Sequence, residues 1–161
     1  MNKAGIAIEP GFDTEVSGPL QVKTKSLKIR TESRVAVQRI TDPIRELIRL
    51  SGVRDGFANI QSSHTTVALF VNEYQDALME DIKGFLERLI IRDGWYRHNS
   101  ADFSDCERKN ADAHLRSVLL GGSVSLQIQA GRLQLGTWQD ILLAELDGPQ
   151  ERTLTIQILG V

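Results

Sequence analysis

An α+β fold is what this sequence predicts: a compact single domain with a largely antiparallel sheet or sandwich and two or three helices. Three observations predict it. Several short segments alternate apolar and polar residues, or run apolar throughout, as strands do. Two longer segments repeat apolar residues at helical spacing, and a shorter third fits a helix as well. The strand segments come in runs rather than alternating strictly with helices, which favours antiparallel pairing over a parallel βαβ sheet. The 161 residues, 41% apolar and 25% charged, support one sizeable core and are few for two.

Residues 1–19, MNKAGIAIEPGFDTEVSGP, are punctuated by glycine and proline and hold no sustained period. They read as an N-terminal extension, a flexible arm or extended strap, ahead of a domain over 20–161. LQVKTKSLKIR alternates Leu20, Val22 and Thr24, then shifts phase to Leu27 and Ile29, which predicts a half-buried strand with a bend or bulge near Ser26. Thr41-Asp42-Pro43 is a helix start, a capping hydroxyl or carboxylate ahead of proline. Ile44, Leu47, Ile48 and Leu50 supply its buried stripe, and Gly52 closes it.

GFANIQSS is expected to pair with TVALFVNE through a link at Ser62–Thr65. Both parities of TVALFVNE are apolar, so this strand is expected to be covered on two sides. A second helix spans roughly residues 76–90, with Leu78, Ile82, Phe85, Leu86 and Leu89 at helical spacing. The polar stretch from Arg92 to Asn110 is long for a compact domain, hence functional or mobile. A short helix around Ala111–Leu120 follows, then SVSLQIQ, DILLAELD and RTLTIQIL as three strands.

Bulk properties narrow the function classes. Net charge is -2 with signs mixed along the chain, so nucleic-acid binding is disfavoured. Neither a signal peptide nor a long apolar span is evident, so a cytoplasmic protein with no membrane partner is expected. Cys106, the one cysteine, lies in the acidic, polar ADFSDCERKN, where negative charge raises a thiol pKa. An inert loop cysteine is expected there, and Cys–His catalysis is not.

The chemistry-bearing residues gather at element ends. His64, His98 and His114 each sit at an element edge or in the long polar segment, among hydroxyls, amides and carboxylates. Three neutral imidazoles and a water suit zinc, so a shared divalent-metal site is one reading and separate structural or surface histidines are the other. Their spacing matches no short motif such as HExxH. Tyr96-Arg97-His98-Asn99 offers a cation, an imidazole and an amide to an anion, or else packs Trp95 and Tyr96 under the loop.

Asn110 fits either an N-cap or a ligand contact, and Asp112 with Arg116 a helix-surface pair. Arg132 is a fork for phosphate or carboxylate, or a surface ion pair. Trp138 stacks on a ligand or packs in a core or interface, and Gln139 orients a ligand or satisfies a turn. Glu73, beside Asn72 at a strand end, is a candidate general base or interface carboxylate. At about 3.3 Å per residue it lies too far along a straight strand to share an ion with His64 of the same subunit. Asp81 is an orienting or solvent-facing charge near the next helix start, and Glu145 and Asp147 share parity unless Asp147 bonds the following turn.

HTTVALFVNE, YRHN, NADAHLRSVLLG and GRLQLGTWQDILLAELDGP together resemble the YjbQ-like family, sometimes described as secondary thiamine-phosphate synthases, over most of the chain. The resemblance implies an α+β subunit built on antiparallel sheet and assembled as a homotrimer. It also implies a weak thiamine-phosphate synthase activity, in which a hydroxymethylpyrimidine diphosphate and a thiazole phosphate join and diphosphate leaves. The family's histidine block falls on His64, Thr65 and Thr66, its asparagine–glutamate pair on Asn72 and Glu73, and its acidic helix position on Asp81. Its later histidines fall on His98 and His114, with Asn110 before the second. Its glycine turn and tryptophan block fall on Gly131, Arg132, Gly136, Thr137, Trp138 and Gln139, and its last acidic position on Glu145. Two departures bear on substrate preference: Tyr74-Gln75-Asp76-Ala77-Leu78 stands where relatives often carry Asp-Pro-Asp, and Ala144 where many carry cysteine.

The expectation is thus a transferase for a phosphorylated small molecule. Glu73, Asp81 and Arg132 are its catalytic candidates; Thr65, Thr66, Asn72, Arg97, Asn110, Trp138, Gln139 and Glu145 its substrate contacts. His64, His98 and His114 are its ligands for a divalent metal, zinc or magnesium. A metal-dependent hydrolase of a phosphorylated small molecule and a non-catalytic metal or small-molecule-binding module are the alternatives.

Overall fold

The computed structural model describes residues 15–161, and its elements follow the chain as β1 (Gln21–Arg30), β2 (Ala36–Arg39), α1 (Thr41–Ser51), β3 (Gly56–Ser62), β4 (Val67–Asn72), α2 (Asp76–Leu89), α3 (Ala111–Leu120), β5 (Ser123–Gln129), β6 (Arg132–Leu133), β7 (Asp140–Glu145) and β8 (Glu151–Gly160). Every strand pair is antiparallel. Five strands form one sheet in the order β1-β8-β3-β5-β6, and three form a second in the order β2-β7-β4.

Hydrophobic patterning sets the layers. β8 and β3 alternate, so Leu154, Ile156 and Ile158 join Ala58 and Ile60 on one face of the larger sheet, while the other carries Thr153, Thr155, Gln157, Asn59 and Gln61 with Phe57 and Leu159. β4 and β7 are apolar on both parities. Their Val67, Leu69, Ile141 and Leu143 share a core with that sheet and with Ile44 and Ile48 of α1. Ala68 and Ala144 instead pack with Leu86 of α2 and Ala113 of α3. The smaller sheet is therefore the middle layer, and the two-sided cover expected for β4 is what it has. Burying one Leu or Ile side chain contributes about 1.5–3 kcal/mol, and a one-residue slip of β4 would exchange its two sets.

Four features depart from the sequence's implications. β1 holds unbroken register with β8, from Gln21↔Gly160 to Arg30↔Glu151, with no bulge at Ser26. The phase shift instead reflects a change of face: Val22 is exposed on the outer side, whereas Leu27 and Ile29 pack against the core. β3 and β4 do not pair, because β3 joins β5 and β8 while β4 joins β7. A strand with one apolar face fits the outer sheet and one with two must lie inside, so the Ser62–Thr66 link crosses between sheets.

α1 begins at Thr41 without a side-chain cap. The Thr41 hydroxyl donates to Asp140 at 2.6 Å and accepts the Ile141 N–H at 2.9 Å, which ties the helix start to β7. The helix ends at Gly52 with φ 70°, as expected. The apolar stripes are narrower than the periodicity implies, since Leu50, Phe85 and Leu89 are exposed and Met79 takes a buried place in α2. The expected extension over 1–19 falls largely on residues 1–14, which lie outside the described residues; 15–20 are exposed and carry no regular structure. Among the described residues no helix is long and apolar enough to cross a membrane.

Candidate functional site

The segment between α2 and α3 delivers the first histidine. A single 3-10 turn at Arg97–Asn99 presents His98, and the Asn99 side chain accepts the Ala111 N–H at 3.0 Å, bonding one of the free amides at the start of α3. That anchor places His98 over the first turns of α3, where His114 rises from the helix. The rings meet edge to face with centroids 5.0 Å apart.

Asn110 occupies the N-cap position but makes no capping bond. Its amide nitrogen donates to Asp147 Oδ2 at 2.7 Å, which turns its carbonyl oxygen toward His98 Nε2 at 3.3 Å. An acceptor facing Nε2 puts the proton on that nitrogen and leaves His98 Nδ1 with its lone pair. Asp147 is in turn gripped by Arg108 at 3.0 Å and Arg34 at 3.6 Å. Asp147, Arg34 and Arg108 are the residues that sequence reasoning missed as site residues. The shared parity of Glu145 and Asp147 was the only signal, and Arg34 and Arg108 lie in segments without any motif.

His114 is partly buried, and its pKa is lowered from 6.5, first by that burial and then by the neighbouring His98, with Asp147 and Asp112 opposing. It is neutral at pH 7, so its ring offers a lone pair there. Tyr96, Arg97, Ala111 and Leu115 join the two histidines around an open pocket of about 360 Å³. The Arg97 guanidinium lies 5.5 Å from the Phe103 ring centre, and Phe103 meets Trp95 edge to face at 6.2 Å. Two imidazoles, a held cation and an apolar wall suit a small anionic molecule carrying a ring.

The third histidine is elsewhere. His64 Nε2 accepts the Thr153 N–H at 3.0 Å, which pins the Ser62–Thr66 link to β8 and occupies the lone pair that a metal would need. Among the described residues no group of three His, Cys, Asp or Glu side chains is placed to hold a metal. The expected three-histidine set is not assembled within one chain; His98 and His114 alone fit as two ligands of an incomplete one.

The remaining candidates are dispersed. Glu145 is wholly buried and receives Arg152 at 2.6 and 2.5 Å, the Thr31 hydroxyl at 2.9 Å and the backbone N–H groups of Leu146 and Asp147. Arg152 also donates to the buried Thr66 hydroxyl at 3.1 Å, whereas Thr65 is exposed in the link. Asn72 accepts the Glu73 N–H at the end of β4, and Asp81 is exposed on α2. Gln139 satisfies the turn, taking the Gly136 N–H at 2.8 Å. Trp138 is exposed, and Arg132 lines a separate groove with Arg45 and Arg49. Of the sequence-derived residues, the structure brings together Arg97, His98, Asn110 and His114.

Comparison with known proteins gives the family and the fold. The family model described as UPF0047 protein YjbQ-like matches residues 25–161. A UPF0047 protein of Methanothermobacter thermautotrophicus is 41% identical over 141 residues, 88% of this chain and 94% of that one. The UPF0047 protein YugU of Bacillus subtilis is 32% identical, covering 84% of this chain and 98% of its own. Among solved structures, a YbjQ-like protein of Sulfolobus solfataricus matches with TM-score 0.82 and 34% identity over 88% of this chain and 99% of that one. A hypothetical protein of Aeropyrum pernix matches with TM-score 0.79 and 39% identity over 86% and 99%.

Proposed function

The chain belongs to the YjbQ-like UPF0047 family, and we propose that it joins two phosphorylated small molecules at the pocket of His98 and His114. The proposed reaction is thiamine-phosphate synthesis from a hydroxymethylpyrimidine diphosphate and a thiazole phosphate. The observation that carries it is the pair of imidazoles 5.0 Å apart in a pocket that Arg97 also lines.

In this reaction the thiazole nitrogen attacks the pyrimidine methylene carbon, the carbon–oxygen bond to diphosphate breaks, and diphosphate leaves with the electron pair. The protein's task is to align the two rings and to stabilise charge on the departing oxygens. Arg97 contributes a fixed cation, its guanidinium held against Phe103. Asn110 fixes the His98 ring, and Tyr96 and Leu115 give an apolar wall for an aromatic ring. No strong base is demanded, and neither Glu73 nor Asp81 is among the residues that line the pocket.

A divalent ion, zinc or magnesium, belongs to the proposal: His98 and His114 would hold it, and when bound it would supply charge to the diphosphate. Its remaining protein ligand would come from a neighbouring subunit of a homotrimer. Exposed Leu115, Val118 and Leu119 on α3, continuous with the pocket, support such a neighbour. A cytoplasmic location completes the proposal, in keeping with the one free cysteine among the described residues.

The test is product formation from both substrates by purified protein with zinc or magnesium, followed by mass spectrometry. His114→Gln is expected to lower turnover about 10²-fold while the circular dichroism spectrum stays unchanged. Equal turnover in a folded His114→Gln protein would overturn the site. Phosphate release from either substrate alone would assign hydrolysis instead.

A further inference from the structure

α3 has a second working face. Two residues along a helix of 3.6 residues per turn point to nearly opposite sides, so Arg116 and Asp112 turn away from His114 and its pocket. On that side Arg34, Val35, Lys83, Glu87, Arg92 and Arg116 enclose a separate cavity of about 240 Å³. Four of the six are cations and one is a carboxylate.

The negative charge that pairs with these cations sits mainly behind the cavity. Asp112 is wholly buried and shared by two guanidiniums, Arg34 at 3.2 Å and Arg116 at 3.6 Å, so it neutralises at most one of them. Arg34 shares Asp147 with Arg108, so two carboxylates serve three arginines. Lys83 is paired with Glu80 on the helix surface, and Arg92 has no ion pair among the described residues.

A second, independent observation comes from Arg116 itself. The residue is 3% exposed, its NH2 group donates to the Ile90 carbonyl at 2.7 Å, and its Nε is buried with no hydrogen-bond partner. A buried charged donor without a partner costs free energy, about 1–3 kcal/mol or more for a charged group. Arg116 also lines the cavity, and since it shares its one carboxylate with Arg34, an anion there would meet guanidinium charge that Asp112 leaves unpaired.

We propose that this cavity is an oxyanion site, distinct from the histidine pocket, that takes a phosphate or phosphoryl group on Arg92, Lys83, Arg34 and Arg116. Planar guanidiniums match the oxygens of phosphate in pairs, and the ammonium adds a point charge. The cavity falls below the roughly 300–1,000 Å³ of pockets that enclose a drug-sized ligand, which limits the bound part to a small anion. Free phosphate and the phosphoryl end of a metabolite share this chemistry.

Calorimetric titration of the full chain at low salt tests it, with inorganic phosphate in one arm and glycerol 3-phosphate in the other. Saturable binding is expected, weakened about tenfold or more by Arg92→Gln combined with Lys83→Gln, weakened by added salt, and retained by His98→Asn combined with His114→Gln. Tighter inorganic phosphate identifies the free anion, tighter glycerol 3-phosphate the phosphoryl end of a metabolite, and both support the site. Glu87→Gln, which removes the one lining carboxylate, is expected to tighten binding. Absence of saturable binding to the unaltered chain would overturn the proposal, as would loss of binding in the histidine variant with none in the Arg92/Lys83 variant. Arg92 and Lys83 are the residues to alter because neither belongs to the packed core, whereas Arg116 does.

Discussion

Glu145 and Asp147 stand two residues apart at the end of one strand and serve opposite ends of the site question. Glu145 turns into the core, where Arg152, Thr31 and two backbone N–H groups fill its bonding capacity. Asp147 turns to the surface loops, where it fixes Asn110 and through it His98. Burial alone would raise the Glu145 pKa, but Arg152, the backbone and Thr31 outweigh it and hold the group ionised below its ordinary 4.5. At His114 burial and its neighbour act in the same direction and favour the neutral ring. A polar cluster whose every bond is met is an anchor. One with a spare lone pair facing a cavity is a site.

Arg152→Met should give the largest effect, because it strands a buried carboxylate: a loss of about 3–5 kcal/mol in urea or guanidinium unfolding. A loss under about 1 kcal/mol would remove Glu145 from the anchor side of the comparison. The same ion pair sets an acid limb. A depressed carboxylate pKa contributes stability that is complete above 4.5 and is lost as pH falls through the lower folded value. Glu145→Gln should therefore flatten unfolding stability against pH in that acidic window.

Gly148 is where anchor and site meet. A Cβ there would lie 2.4 Å from the Ser33 carbonyl oxygen and 2.7 Å from Glu145 Cγ, and neither backbone nor buried carboxylate has room to yield. Gly148→Ala is expected to cost about 1–3 kcal/mol and to lower turnover as well, since it displaces Asp147. Stability lost with turnover intact would show that the two regions are mechanically separate.

Asn110→Ala should cost about 1–3 kcal/mol, since it leaves Asp147 short of a buried donor, and should free the His98 ring. The smallest effect is the sharpest test of the site. By NMR titration His114 should lose its proton below pH 6.5, and His98→Asn should raise that midpoint, because after burial the neighbouring imidazole is the other cause that lowers it. Folding stability contributed by the neutral ring is present above 6.5 and declines as pH falls through the folded midpoint.

Much of the fold was legible because periodicity reports faces. The alternation of β8, the two-sided run in β4 and part of the spacing in α2 follow from which side meets the core, whereas α3 exposes Leu115, Val118 and Leu119 and buries Asp112 and Arg116. Pairing partners were not legible, since β3 and β4 are neighbours in sequence yet lie in different sheets, and nothing local in GFANIQSS names β8 as its mate. Within the site, His98, His114, Arg97 and Asn110 were visible as residue types that bond ligands. Arg34 and Arg108 were not, because an arginine in a loop has the same local sequence whether it faces water or grips Asp147. Glu145 drew notice as chemistry and turned out to be architecture, for the same reason.

The pairing of β1 with β8 has a consequence for how the protein comes into being. The ten residues of β1 pair with residues 151–160, so this edge waits unpaired until β8 has been made. Such non-local pairing is slow, because the loop-closure entropy is lost before any contact compensates it. The waiting strand carries Lys23, Lys25, Lys28 and Arg30, charges that repel a second copy of the same strand. When β8 arrives, Glu151 meets Lys28 at 2.8 Å, and a strand that had discouraged partners gains one.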